Sequence, residues 1–236
     1  MELTGDLDAA TLTELLPGRE VRSYPALLST EADALAWARA GAPAGAVVAA
    51  GYQASPRGRA GLEWHAPPAE SLAFSLVLRP RLPAPREGWL YVVASLGLAD
   101  VLDAHVRWPD ESVRDDARAG AVAVTTSLGP FGVDWAVVNV LVAAAPPPRA
   151  PRLVAIVRSI EERLGEPSAV ALADYLRRCD TIGDRVRARL IPMGPGGVVL
   201  EGRAATVKTD GALVVETADE HRLAILPQSL GLLEGV

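Results

Sequence analysis

The chain has 236 residues, half of them hydrophobic, and a net charge of −6. That supplies one sizeable core and a small second domain, and the acidic balance argues against a nucleic-acid partner, whose non-specific affinity comes from clustered Lys and Arg. The single cysteine, Cys179, excludes an intramolecular disulfide and a multi-cysteine zinc site and points to a reducing compartment.

The first stretch, MELTGDLDAATLTELL, is acidic where a secretion signal is basic and then apolar, and no run is long enough to span a bilayer. A cytoplasmic protein without a membrane partner is expected. STEADALAWARAG follows, with Ser29 or Thr30 placed to cap a helix, apolar residues at three-to-four spacing and Gly41 as a stop. GAVVAAGYQ reads as a buried strand running into a loop, ASPRGRAGLEWHAPP as that loop, and SLAFSLVLRP as a strand closed by Pro80. REGWLYVVASLGLADVLDA is the longest helical pattern, and HVRW begins the next strand.

AGAVAVTTS and VDWAVVNVLVAA are apolar strands split by LGPFG, a hairpin in the sheet. Two helical patterns, PPPRAPRLVAIVRSIEERLGEP and SAVALADYLRR, come next. After Cys179 the texture changes to short strands, RVRARLI, VVLEGRAATVKT, ALVVETA and HRLAIL, separated by Gly- and Asp-rich turns, which reads as a small β-barrel-like module. The expected architecture is α+β, with one domain over residues 1–180 and a second over 181–236. Helices crossing to buried strands are the signature of such a layered fold.

The stretch RWPDESVRDDARAGAVAV packs Asp110, Glu111, Asp115 and Asp116 with Arg107, Arg114 and Arg118 between two apolar segments. A solvated hairpin is the simple explanation; a place where phosphate, metal and a cationic side chain meet is the other. Taken singly, Ser29-Thr30 reads as a helix cap, Trp64 as half-buried core, and Arg57 and Arg59 as solvated loop residues. An arginine- and glycine-containing loop between strands nevertheless suits an anion, since glycine permits close backbone approach and arginine offers a fork of donors. His65, His105 and His221 show no metal-ligand spacing.

The order STEADA, YQASPRGRAGLEW, SLAFSLVLRP, RWPDE, ARAGAVAV, WAVVNV and then a strand-rich tail resembles the biotin-protein ligases, collinearly from Tyr24 to Leu230. Those enzymes carry Ser-Thr-Asn, a Gly-Arg-Gly-Arg-Arg-Gly loop ending in Trp, Lys-Trp-Pro-Asn-Asp, Lys-Leu-Ala-Gly, Gly-x-Gly-x-Asn and an SH3-like C-terminal domain. With only one helix before Tyr24, the chain resembles the class without a DNA-binding winged helix. The resemblance implies a biotin/lipoate ligase-like catalytic domain, a mixed sheet flanked by helices, and an SH3-like domain behind it. It also implies a two-step reaction: biotin is activated with MgATP to biotinyl-AMP, and the acyl group passes to a lysine of a biotin carboxyl carrier domain of a biotin-dependent carboxylase. ATP, Mg2+ and biotin are the implied cofactors, and monomer and homodimer both occur in the family.

Residue by residue, the resemblance implies that Ser29, Thr30 and Gln53 meet the biotin ureido group and that Arg57 and Arg59 belong to the loop closing over biotin and the adenylate. Trp64 and Asn139 fall at adenine, Arg107 beside the triphosphate path, Asp110 and Glu111 at magnesium, and Arg118 at the family's reactive-site lysine.

Several motifs depart from the pattern. Glu31 replaces Asn, and Pro56 replaces the first loop glycine, removing an N–H. Ala60 and Leu62 stand where loop arginines are expected. Trp135 and Val137 replace glycines that let a ligand approach the strand, adding bulk that would crowd the adenosine site if either side chain points to the pocket. Of the 23 basic residues only Lys208 is a lysine, a compositional bias under which Arg118 can be drift, yet guanidinium keeps the charge of ammonium and loses its compact geometry. Two principal readings follow: a divergent ligase using Arg118 and Arg59 on the anions, or a non-catalytic relative, a pseudoenzyme, that binds a biotin-like ligand, a nucleotide or a carrier protein without ligation. A lipoate-type acyltransfer enzyme on the same scaffold is a third, against which Ser29, Thr30 and Gln53 speak.

Overall fold

The computed structural model describes residues 5–64, 67 and 70–236; His65 lies outside the described residues. Its helices are α1 (Ala9–Leu15), α2 (Thr30–Arg39), α3 (Trp89–Leu102), α4 (Ala150–Gly165) and α5 (Ser168–Arg178). The strands of the first sheet are β1 (Val21–Leu27), β2 (Val47–Gln53), β3 (Leu72–Leu78), β4 (His105–Arg107), β5 (Glu111–Arg114), β6 (Ala117–Gly129) and β7 (Gly132–Val142). Those of the second are β8 (Arg185–Leu190), β9 (Val199–Val207), β10 (Leu213–Glu216), β11 (Arg222–Ile225) and β12 (Leu230–Gly235).

The first sheet runs β1-β2-β3-β7-β6-β5-β4 and is mixed, β1 lying parallel to β2 and the other neighbours antiparallel. Strand alternation divides it into two faces. Leu72, Phe74, Leu76 and Leu78 of β3, with Ala136, Val138, Val140 and Val142 of β7, join the main core. That face is covered by α3, whose fourteen residues include twelve buried ones and which is therefore apolar all round. α4 packs on its outer side through Leu153, Val157 and Ile160. Each fully buried Leu or Phe contributes about 1.5–3 kcal/mol.

The opposite face presents Ala73, Ser75 and Val77 of β3 and Trp135, Val137, Asn139 and Leu141 of β7. Here α2 lies across the sheet on Ala34, Trp37 and Ala38, covering Val77, Trp135 and Val137. Toward the β2, β3 and β7 ends beyond α2 the face continues as Ser75, Asn139, Ala73 and Leu141, and it is there that the polar residues gather.

The second sheet is antiparallel, in the order β11-β10-β9-β8-β12. It is fastened to the first at Trp108, whose Nε1 donates to the Gly211 carbonyl at 2.9 Å and whose backbone N donates to Thr181 Oγ1 at 2.9 Å. The turn before β10 also runs backbone to backbone against the start of α3: a Cβ on Gly211, whose φ is +83°, would stand 2.2 Å from the Gly88 carbonyl oxygen. No helix among the described residues is long and apolar enough to cross a membrane.

Strands β1, β5 and β12 go beyond the sequence expectations. β1 and β12 are sheet edges carrying Pro25 and Gly231, so neither shows the clean alternation of a paired strand. β5 is formed by the charged stretch itself, which turns back through Asp115 and Asp116, both with positive φ of 52° and 59°.

Candidate functional site

The first turn of α2 reaches the uncovered part of the sheet face. Thr30 is fully buried, and its backbone N donates to Gln53 Oε1 at 2.5 Å. Ser75 Oγ lies 3.0 Å from Thr30 Oγ1 and 3.1 Å from Asn139 Oδ1, and Thr30 Oγ1 is 3.4 Å from the same Asn139 oxygen. Asn139 Nδ2 donates to the Arg57 carbonyl at 3.0 Å, tying the network to the loop above it. Because a backbone N–H only donates and a carbonyl only accepts, both amide orientations follow from chemistry. Gln53 is thus left with its Nε2 buried and, among the described residues, without a hydrogen-bond partner, a state that costs about 1–3 kcal/mol. Trp64 Nε1 is likewise buried and has no partner among the described residues. Both are donors suited to a ligand carbonyl or other acceptor.

Ser29 caps α2 by position, is half-buried, and makes no side-chain cap bond. Glu31, the departure next to Thr30, reaches across to β6, where Thr125 Oγ1 donates to its Oε1 at 3.0 Å. Burial pushes its carboxyl above the ordinary value and the Thr125 bond counters part of that shift. Trp64 packs on Ala73, Ala121 and Leu141, beside the network rather than within it. Trp135 and Val137 lie under α2 with Trp37 and Val48, filling that part of the sheet face, away from the polar network.

A second group of the expected residues lies at the junction of the two sheets. A cavity of about 400 Å3 is lined by Arg59, Arg107 and Arg118 together with Asp110, Glu111, Asp184 and Glu234, and its apolar wall comes from Leu62, Trp108, Pro109, Val186, Leu232 and Leu233. Arg118 pairs with Glu111. Its guanidinium carbon also stands 5.2 Å from the Trp64 ring centroid, a cation–π distance. Arg59 is buried, with Nε donating to Asp110 Oδ1 at 3.2 Å and Nη1 donating to the carbonyls of Leu230 and Gly231. Burial raises the Asp110 carboxyl above its ordinary value, and the Arg59 charge opposes that shift.

The residues expected at one site therefore fall into two. Thr30, Gln53 and Asn139 meet in the buried network; Arg59, Arg107, Asp110, Glu111 and Arg118 line the junction cavity; Trp64 stands between, in contact with Arg118. Arg57 is exposed, its side chain turned to Ser55, Gly61 and Glu63, and only its carbonyl reaches the network. Ser75, which joins Thr30 and Asn139, was not singled out from sequence; its signal is a lone hydroxyl in the otherwise apolar strand LAFSLVL.

The donor set does not fit a protein-held magnesium ion as it stands. Asp110 and Glu111 are each engaged by an arginine, and among the described residues no three His, Cys, Asp or Glu side chains gather to hold a metal. His105 pairs with Asp180 at 2.8 Å.

No family model matches the sequence. Solved structures match over nearly the whole chain. The biotin protein ligase from Aquifex aeolicus in complex with biotin and ATP is 16% identical with a TM-score of 0.72, covering 92% of this chain and 99% of its own. The biotin acetyl coenzyme A carboxylase synthetase from Helicobacter pylori with bound biotinylated ATP is 17% identical with a TM-score of 0.62, covering 87% of this chain and 99% of its own. The mixed seven-stranded sheet flanked by helices, followed by a separate antiparallel sheet, is thus the fold of the biotin protein ligases. The same fold is shared by a biotin protein ligase-like protein of unknown function from Silicibacter sp., 16% identical with a TM-score of 0.69, covering 90% of this chain and 96% of its own.

Proposed function

We propose that the protein is a biotin-ligase-like binding protein, one that holds a small ligand of biotin's kind through Thr30, Gln53 and Asn139 without adenylating it. The observation carrying this reading is electrostatic. The junction cavity sets three arginines against four carboxylates, and Arg118 is spent on Glu111. A triphosphate meeting an excess of carboxylates is repelled rather than drawn in. Adenylation demands the reverse, since two anions must be brought together by cations aimed at the reacting oxygens. The binding half of the reading rests on the buried Gln53 Nε2, which has no partner among the described residues and is a donor that a ureido or amide carbonyl would satisfy.

Residues 1–180 then form the ligand-binding domain and 181–236 a second, SH3-like domain. A cytoplasmic setting agrees with the single buried thiol.

The second reading, an active ligase using ATP, magnesium and a biotin carboxyl carrier domain as acyl acceptor, is favoured by one observation: Arg59, Arg107 and Arg118 all face the same cavity. In that case magnesium enters as MgATP, held by phosphate oxygens rather than by Asp110 or Glu111. Calorimetry with biotin and an assay for biotin-dependent pyrophosphate release from ATP separate the two. Heat of binding without pyrophosphate release or carrier biotinylation is the expected pair of results. Turnover by the wild-type protein establishes the ligase reading instead, and absence of biotin binding removes the binding one.

A further inference from the structure

The loop over residues 56–64 is a miniature hairpin. Arg57 and Glu63 form an antiparallel bridge, Gly58 N donates to the Leu62 carbonyl at 2.8 Å, and Trp64 N donates to the Pro56 carbonyl at 3.2 Å. At its tip Ala60 has a φ of 55°, a left-handed backbone that a residue with a Cβ keeps only where its surroundings over-determine it. The surroundings are supplied by the neighbouring residue. Arg59 runs from the tip into the junction, 7% exposed, and its donors meet acceptors from both sheets: Asp110 immediately before β5, and the Leu230 and Gly231 carbonyls at the start of β12. A buried charge is tolerable only when it is met, so withdrawing this side chain from the junction would leave the buried Asp110 carboxylate without its Arg59 partner.

From this geometry we infer that Arg59 latches the 56–64 loop to the C-terminal sheet, so that the loop is in place over the buried network before any ligand arrives. The inference does not depend on the binding function proposed above. Its consequence runs inward through the Arg57 carbonyl, which accepts from Asn139 Nδ2: the C-terminal sheet fixes Arg59, Arg59 fixes the loop, and the loop orients the Asn139 amide. Lysine in place of Arg59 keeps the charge but has no planar fork to meet a carboxylate and two carbonyls at once.

Amide hydrogen exchange of the full chain, followed by mass spectrometry, tests the latch. In the ligand-free wild type, segment 56–64 is expected to be protected, and added biotin to change its exchange less than twofold. In Arg59→Lys, exchange should rise at least tenfold in 56–64 and, together with it, in 229–233. Free-peptide exchange of 56–64 in the wild type without ligand overturns the proposal, as does loosening of that segment in Arg59→Lys with 229–233 unchanged. If Arg59→Lys does not fold, trypsin on the wild-type chain decides: resistance of the bonds after Arg57 and Arg59 supports the latch, and cleavage there with the rest of the chain intact refutes it. A failure of biotin to bind touches the function proposed above and leaves these ligand-free readings as they are.

Discussion

Arg118 stands over the indole of Trp64 while its guanidinium pairs with Glu111, so the cation at the junction cavity is held from two sides. The side chain is half exposed, and solvent screening keeps such a pair weak. A double-mutant cycle of Arg118→Ala and Glu111→Gln in chemical denaturation should return a coupling of about 0.2–1 kcal/mol. A coupling indistinguishable from zero would mean that Glu111 does not engage the Arg118 charge in solution.

Trp135 fills the sheet face beneath α2 and is almost completely buried. Trp135→Ala should lower unfolding stability by about 3–5 kcal/mol, the range for deleting a large core aromatic. Urea denaturation measures it. A loss under 1 kcal/mol would indicate an indole that lies against solvent or in a loosely filled space.

Ser75 is a small residue with a large role in satisfying buried polar atoms. Ser75→Ala removes the hydroxyl that lies within 3.1 Å of both Thr30 Oγ1 and Asn139 Oδ1, and should cost about 1–3 kcal/mol. The same variant should weaken any ligand bound at Thr30 and Gln53, read by calorimetry. Unchanged stability would argue that water replaces the hydroxyl and that the network is not sealed.

Acid should dismantle a different part of the molecule. Burial raises the Asp100 carboxyl, but hydrogen bonds from Arg163 at 2.8 Å and Arg178 at 2.5 Å outweigh it and hold the group below its ordinary value. A carboxyl whose folded-state pKa lies below the unfolded one stabilises above the unfolded pKa, and that contribution is lost as pH falls through the folded value. Asp100→Asn should therefore be less stable than wild type at neutral pH, by about 1 kcal/mol or less because the group is half exposed and screened. The two proteins should converge below the carboxylate range. A difference that stays constant with pH would assign the loss to packing.

The helices were legible because their apolar residues recur at helical spacing, as in Leu153, Ile156, Val157 and Ile160 of α4. The paired strands β3, β6 and β7 were legible as apolar runs between turns. The edge strands β1 and β12 were not, because a strand buried on one side and paired along one edge needs neither alternation nor high apolarity, as Val21–Leu27 with its Pro25 illustrates. Thr30, Gln53 and Asn139 were picked out by the resemblance to the biotin-protein ligases, and they do converge. What no spacing encodes is the destination of Arg59: its acceptors include backbone carbonyls 171 and 172 positions away, and a carbonyl looks the same in every residue. Sequence likewise gave no indication that Trp135 turns beneath α2, since either face of β7 is apolar enough to receive it.

The backbone contact between Gly88 and Gly211 bears on how this chain can evolve. Its alanine-rich, lysine-poor composition speaks of steady mutational pressure, and glycine to alanine is among the shortest steps such pressure can take. At Gly211 that step drives a methyl group to within 2.2 Å of the Gly88 carbonyl oxygen, and at Gly88 the reverse exchange brings one to 2.5 Å from the Asp210 carbonyl oxygen. Neither oxygen can swing aside as a side chain would. Alanine is therefore barred at these two glycines, and descendants of this chain should keep both.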